Sequence, residues 1–147
     1  MSLLEDKAKE LFANGFNCAQ AVLGAFCEGE GLDMNTAMKL STGFGGGVRC
    51  GEICGAVSGA VMVIGLKHGI YGDKALEQNA QCRALSFEFI KAFKEANSSI
   101  LCRELLGVDI RCPEDHNSEQ AKESHQKVCP ELVASSVQIL ETMAAIG

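Results

Sequence analysis

The stretch Ile53-Cys54-Gly55-Ala56-Val57-Ser58-Gly59-Ala60-Val61-Met62-Val63-Ile64-Gly65-Leu66-Lys67 carries almost no polar face at helical spacing. A helix that is apolar all round normally forms the buried centre of a domain. Gly55, Ala56, Ser58, Gly59 and Ala60 leave room for neighbouring backbones to approach closely. His68-Gly69 closes the segment, with a basic residue and a glycine where a helix C-terminus favours them. The greasy run from Ala56 to Leu66 falls far short of the roughly 20 residues that span a bilayer.

Helical periodicity continues on both sides, with no alternation of period two. Ser2 with Glu5 reads as a capping box for a first helix running to Ala13, stopped by Asn14-Gly15. Asn17 suits the N-cap of a second helix, Cys18 to Phe26, followed by a loop at Cys27-Glu28-Gly29-Glu30-Gly31. Asp33 or Asn35 starts a third, through Ala37, Met38 and Leu40, ending before Gly43-Phe44-Gly45-Gly46-Gly47. Asp73 caps a long fifth helix through Ala75, Leu76, Cys82, Leu85, Phe89 and Phe93 to about Ala96. Ser98 or Ser99 caps a short sixth, Ile100 to Leu106, stopped by Gly107. Residues 108–117 read as irregular, and a polar turn of helix fits 118–126. Cys129-Pro130-Glu131 reads as a cap with Pro at the first helical position. The terminal helix then carries Leu132, Val133, Val137, Leu140 and Met143 as its stripe. The expected fold is all-α: a single-domain helical bundle over residues 1–147 around a buried central apolar helix.

With 147 residues, one domain is the expected size. A net charge of −6 and the absence of a basic stripe leave no electrostatic footprint for nucleic acid or for an anionic membrane. Met1-Ser2-Leu3-Leu4-Glu5-Asp6 has neither a basic nor an apolar leader segment, so a cytoplasmic protein is expected.

Eight cysteines are then the anomaly. In a reducing compartment they point to metal, iron–sulfur or thiol redox chemistry rather than a disulfide framework. Four coincide with expected helix starts: Cys18 after Asn17, Cys54 in the first turn of the buried helix, Cys102 just inside the sixth, and Cys129 capping the last. A helix N-terminus offers unpaired N–H groups and a partial positive charge, both of which favour a thiolate over a thiol. Cys82 sits on the apolar stripe of the fifth helix and reads as structural. Cys50 lies in the glycine-rich approach, and Cys27 and Cys112 fall in loops. No C-x-x-C occurs, which argues against a thioredoxin-like site and against ordinary zinc knuckles.

Other constellations are weaker. The glycine run is not a phosphate loop, because no strand precedes it and no Gly-Lys-Ser/Thr follows. It fits a backbone threading past a neighbour or wrapping a cofactor or anion, which makes Gly45, Gly46 and Gly47 candidate cofactor contacts. Arg49 and Arg103 flank key cysteines and could support thiolates or form surface ion pairs. Glu52 is expected in the first turn of the central helix. His68, His116 and His125 show no Ser or Cys partner by spacing.

Phe16-Asn17-Cys18-Ala19-Gln20-Ala21-Val22-Leu23, the glycine run, and Cys54-Gly55-Ala56-Val57-Ser58-Gly59 resemble the redox-active C_GCAxxG_C_C family, named for a CGAxxG motif and characteristic cysteines. Cys102-Arg103-Glu104-Leu105-Leu106-Gly107 and Cys129-Pro130 match the places of the later cysteines. The resemblance implies a small helical prokaryotic protein with redox activity, its genes often near transporter genes. It implies Cys18, Cys54, Cys102 and either Cys129 or Cys112 as site cysteines.

The resulting expectation is a set of converging thiolates that cycle between dithiol and disulfide or hold an iron–sulfur cluster. Cys18, Cys54, Cys102 and Cys129 are the catalytic or metal-ligating residues. The alternatives are a four-cysteine zinc protein without turnover and a transporter-associated accessory module. A redox partner or transporter component is the implied partner, and the small-residue faces suit a homodimer without specifying one.

Overall fold

The computed structural model describes residues 2–72, 76–108 and 110–143, without the side chains of 76–78. These residues form eight α-helices and no strand: α1 (Leu3–Ala13), α2 (Cys18–Cys27), α3 (Met34–Ser41), α4 (Gly55–His68), α5 (Leu76–Asn97), α6 (Cys102–Leu106), α7 (Pro113–His116) and α8 (Glu119–Thr142). The all-α expectation holds. Asp73 and Ala75, expected at the start of the fifth helix, lie outside the described residues.

The start of α2 is doubly fastened. The Asn17 side chain accepts from the Gln20 amide at 2.9 Å, and the Gln20 side chain accepts from the Asn17 amide at 2.9 Å. Gln20 is itself buried and donates to the Met38 carbonyl, so α2 and α3 are tied at the same point. Around Ser2 only half of the expected box forms. Ser2 accepts from the Glu5 amide at 3.0 Å, while Glu5 turns to Gln138 on α8.

All ten residues of α2 are buried, whereas α4 surfaces at Leu66 and Lys67. The helix enclosed on every side is therefore α2, and α4 is its broadest neighbour. Their approach depends on missing side chains. A Cβ on Gly59 would lie 2.8 Å from the Ala19 carbonyl oxygen, and one on Gly55 would lie 2.9 Å from the Ala19 amide nitrogen. The aliphatic groups in this interface, among them Val22, Leu23, Val57 and Ile64, are fully buried or nearly so. Burial of each such side chain is worth about 1.5–3 kcal/mol. On the far side, Phe89 and Phe93 of α5 stack with ring centroids 5.9 Å apart. From α8 the buried Ser136 hydroxyl donates to the Ala56 carbonyl at 2.8 Å.

Two helices begin later than their periodicity suggests, for one reason. Ile53 and Leu101 form an isolated antiparallel bridge, with Cys54 N donating to Ile100 O at 2.8 Å and Cys102 N to Glu52 O at 2.6 Å. Backbone groups spent in this bridge cannot join a helix, so α4 starts at Gly55 and α6 at Cys102. Glu52 consequently stands outside the first turn of α4 and pairs with Arg103 at 2.7 Å.

The largest departure is at the C-terminal end. Residues 118–126 and the terminal helix are one continuous α8, with Pro130 in its interior and Ser118, not Cys129, as the N-cap. The Ser118 hydroxyl accepts from the Ala121 amide at 3.1 Å. Pro130 has no N–H, so the Gln126 carbonyl lacks the donor that the residue four places on normally supplies. Cys27, expected in a loop, is the last residue of α2 and is buried.

Paired substitutions test the packing of α2 on α4. Gly59→Ala should lower stability by about 1–3 kcal/mol, because the added methyl meets backbone. Gly65→Ala has nothing within 4 Å of its new Cβ. It should raise stability by about 0.5–1 kcal/mol by removing a helical glycine. Urea unfolding midpoints of the two variants against the parent check both signs.

Candidate functional site

Cys18, Cys54, Cys102 and Cys129 all line one cavity of about 280 Å³. Each is brought there by a different device. Cys18 is the first residue of α2, set by the Asn17–Gln20 box. Cys54 is the N-cap of α4 and Cys102 the first residue of α6, and the Ile53–Leu101 bridge holds the two together. Cys129 projects from the middle of α8. Gly55 brings the first two into register, since a Cβ there would lie 3.1 Å from the Cys18 Cβ. All four side chains are buried, and all eight cysteines of the chain are free thiols.

The remaining cysteines lie elsewhere. Cys112 caps the four-residue α7, outside the cavity lining, and its thiol donates to the Asp115 carboxylate at 2.9 Å. Cys82 packs partly buried against the core. Cys50 is exposed, and its thiol points to the Gly47 carbonyl at 3.4 Å.

Among the glycine run, Gly46 lines the cavity and faces His116, whose Cε1 would lie 3.4 Å from a Cβ there. Gly45 and Gly47 serve close packing instead. A Cβ on Gly45 would strike the Asn17 side chain at 2.6 Å, and one on Gly47 the Glu52 amide at 2.5 Å and the Cys102 Cβ at 2.8 Å. The glycines therefore hold two of the cysteine-bearing segments at contact distance.

Helix starts do not by themselves lower these thiols. Desolvation pushes Cys54 up to about 11, against a downward pull from the Ala56 and Val57 amides at the start of α4. Burial likewise pushes Cys102 up to about 12, reinforced by the Cys54 and Cys129 charges. Cys18 is raised because its thiol hydrogen-bonds Cys129, because it is buried, and because Cys129, Cys54 and Cys102 all disfavour a second negative charge. Cys129 is pulled down, since its sulfur accepts the Cys18 hydrogen bond more strongly as a thiolate. Cys18 and Cys129 thus share one proton as a pair.

Arg49 lines the cavity and donates to the Thr42 carbonyl at 2.7 Å, whereas Arg103 is engaged with Glu52 and Gly51. His125 lies one helical turn before Cys129 and lines the same wall. Burial holds its imidazole below the usual histidine range, with His116 adding repulsion. This His125–Cys129 spacing was hidden by the expected break at Cys129-Pro130. A continuous α8 makes the four-residue interval visible.

Four thiols match the ligand count of an iron–sulfur centre or a structural zinc. Among the described residues, however, no group of three or more His, Cys, Asp or Glu side chains is spaced to hold a metal ion. No described helix is long and apolar enough to cross a membrane.

Two titrations follow. Cys54 and Cys102 hold their protons more tightly when folded, so their contribution to stability is complete below the ordinary thiol value of 9.0 and is lost as pH rises toward 11–12. The urea midpoint should therefore fall as pH is raised from 9 to 11. Separately, Cys18→Ala removes the hydrogen-bond donor and should move the pH midpoint of Cys129 alkylation upward. Cys18→Ser keeps a donor and should move it less, as read by mass spectrometry of the Cys129 peptide.

A family model described as "Putative redox-active protein (C_GCAxxG_C_C)" matches residues 16–143, a span that includes all four cavity cysteines. No curated protein and no solved structure matches the chain.

Proposed function

Because the chain belongs to the redox-active C_GCAxxG_C_C family, we propose that it works by thiol–disulfide exchange at this cavity, with Cys18 and Cys129 as the redox pair. What supports the pair is their place on one cavity lining, where the two thiols are coupled to each other, Cys18 raised and Cys129 lowered. A thiolate is the attacking species in exchange, and a neighbouring thiol is what resolves the intermediate.

The Cys129 thiolate attacks one sulfur of an external disulfide, that S–S bond breaks, and one thiolate leaves. Cys18 then gives up its proton and attacks the Cys129 sulfur of the mixed disulfide, expelling the second thiolate. The protein dithiol is oxidised to a Cys18–Cys129 disulfide, and the external disulfide is reduced to two thiols. One proton comes from Cys18 and one from solvent. His125 lines the same cavity, and burial holds its imidazole below the usual range, which makes it the candidate acceptor for the Cys18 proton. An external dithiol partner resets the pair by the reverse exchange. Cys54 and Cys102 stay protonated through the cycle, close enough to oppose a second charge on Cys18.

Exchange is preferred to a four-thiolate iron–sulfur or zinc site because, among the described residues, no group of three or more His, Cys, Asp or Glu side chains is spaced to hold a metal ion. A single experiment separates these outcomes. Anaerobically purified protein should contain no stoichiometric iron, sulfide or zinc. One equivalent of hydroxyethyl disulfide should then consume two thiols per chain. Cys129→Ser should slow that reaction by about tenfold or more, and Cys18→Ser should stall at the mixed disulfide. Unchanged kinetics in Cys129→Ser would overturn the assignment of the nucleophile. Stoichiometric iron with sulfide, or stoichiometric zinc, would replace the exchange mechanism altogether.

A further inference from the structure

The cavity wall has a charge character opposite to that of the whole chain. The protein carries a net charge of −6. Yet the described residues around the four thiols include Arg49, Lys122, His116 and His125, together with Asn17 and Asn117, and among the described residues no Asp or Glu. The nearby carboxylates are turned to other groups. Asp115 and Glu114 on α7 face the Cys112 thiol, and Glu52 pairs with Arg103. Glu119 reaches Lys122 only at 3.9 Å, with both side chains largely in solvent. Such an exposed pair neutralises little. Among the described residues Arg49 has a backbone carbonyl as its hydrogen-bond partner and no carboxylate.

Arg49 is also held at a conformational cost. Gly46, Gly47, Val48 and Arg49 all have left-handed backbones, with φ of 62°, 62°, 58° and 60°. For the β-branched Val48 and for Arg49 this is a strained conformation relative to the right-handed region. A left-handed turn at this point carries the chain from Gly46, which lines the cavity beside His116, to Arg49 on the same lining. The volume of about 280 Å³ admits a small molecule and not a folded partner.

We propose that the cavity selects a small anionic disulfide, one bearing carboxylate groups that Arg49 and Lys122 receive while its sulfurs meet Cys129. This names the substrate class for the exchange reaction above and rests on that reading. The cations act before any covalent step, by raising the local concentration of the anion. Their effect is screened by salt.

The test compares three disulfides of different charge on the reduced, full-length protein: dithiodipropionate (anionic), hydroxyethyl disulfide (neutral) and cystamine (cationic). Each rate is divided by that of the same reagent with mercaptoethanol, which removes differences between leaving groups. The normalised rate for dithiodipropionate should exceed that for cystamine by about tenfold, and the preference should shrink in high salt. It should also shrink in Arg49→Gln and in Lys122→Gln, the second variant covering any folding defect of the first. A parallel measurement needs no exchange chemistry: the ratio of iodoacetate to iodoacetamide alkylation should be higher at Cys129 than at Cys82 of the same molecule. If all three disulfides react with no charge preference, or cystamine is fastest, the anionic substrate is wrong and the exchange mechanism stands. If none reacts, the exchange mechanism and the disulfide substrate both fall. A surviving iodoacetate preference would then assign the cavity to anions of another class.

Discussion

The site depends on how closely α2 can lie against α4. Gly55 and Gly59 have no side chains where Ala19 crosses them, and this contact sets the first residue of α2 beside the N-cap of α4. Cys18 and Cys54 are therefore neighbours because two glycines are small. The rest follows by short links. The Ile53–Leu101 bridge fastens the start of α6, and with it Cys102, to the entry of α4. Ser136 anchors α8 on the Ala56 carbonyl, two turns beyond Cys129. Widening the helix crossing by one methyl group would move Cys18 away from Cys54.

Within the cavity, two electrostatic effects compete and burial is the stronger. Helix-start amides do pull on Cys54, but desolvation outweighs them and leaves the thiol protonated. Cys129, which has no helix terminus beside it, is drawn downward by the Cys18 thiol instead. The partner for a buried thiolate here is a second thiol, which in the proposed exchange would also be the resolving group. Packing the four sulfurs together makes a single negative charge acceptable and a second one costly, as the raised values of Cys18, Cys54 and Cys102 indicate.

Much of this was legible from residue order. Helical periodicity and the caps Asn17 and Asp33 place the early helices correctly, because each cap acts over only three residues. The four cavity cysteines were also identifiable, partly for a reason that did not hold. Cys129 before Pro130 reads as a cap, yet it lies in mid-helix, where tertiary packing of Leu132, Val133 and Val137 outweighs the local preference of proline. The bridge between Ile53 and Leu101 was invisible because it joins residues 48 positions apart through backbone groups alone. It is also why α4 and α6 start later than their periodicity predicts. The enclosure of α2 was missed as well, because its polar Gln20 is satisfied by Met38 and Thr42, which only the fold brings near.

The central claim is that Cys18 and Cys129 form the exchanging pair inside a shared thiol cavity. Its most direct test is the disulfide map of native protein after mild oxidation, read by peptide mass spectrometry without reduction. A crosslink between the Cys18 and Cys129 peptides, with Cys50, Cys82 and Cys112 still alkylatable, is the predicted result. A crosslink through Cys50 or Cys112, with Cys18 and Cys129 still free, would contradict it.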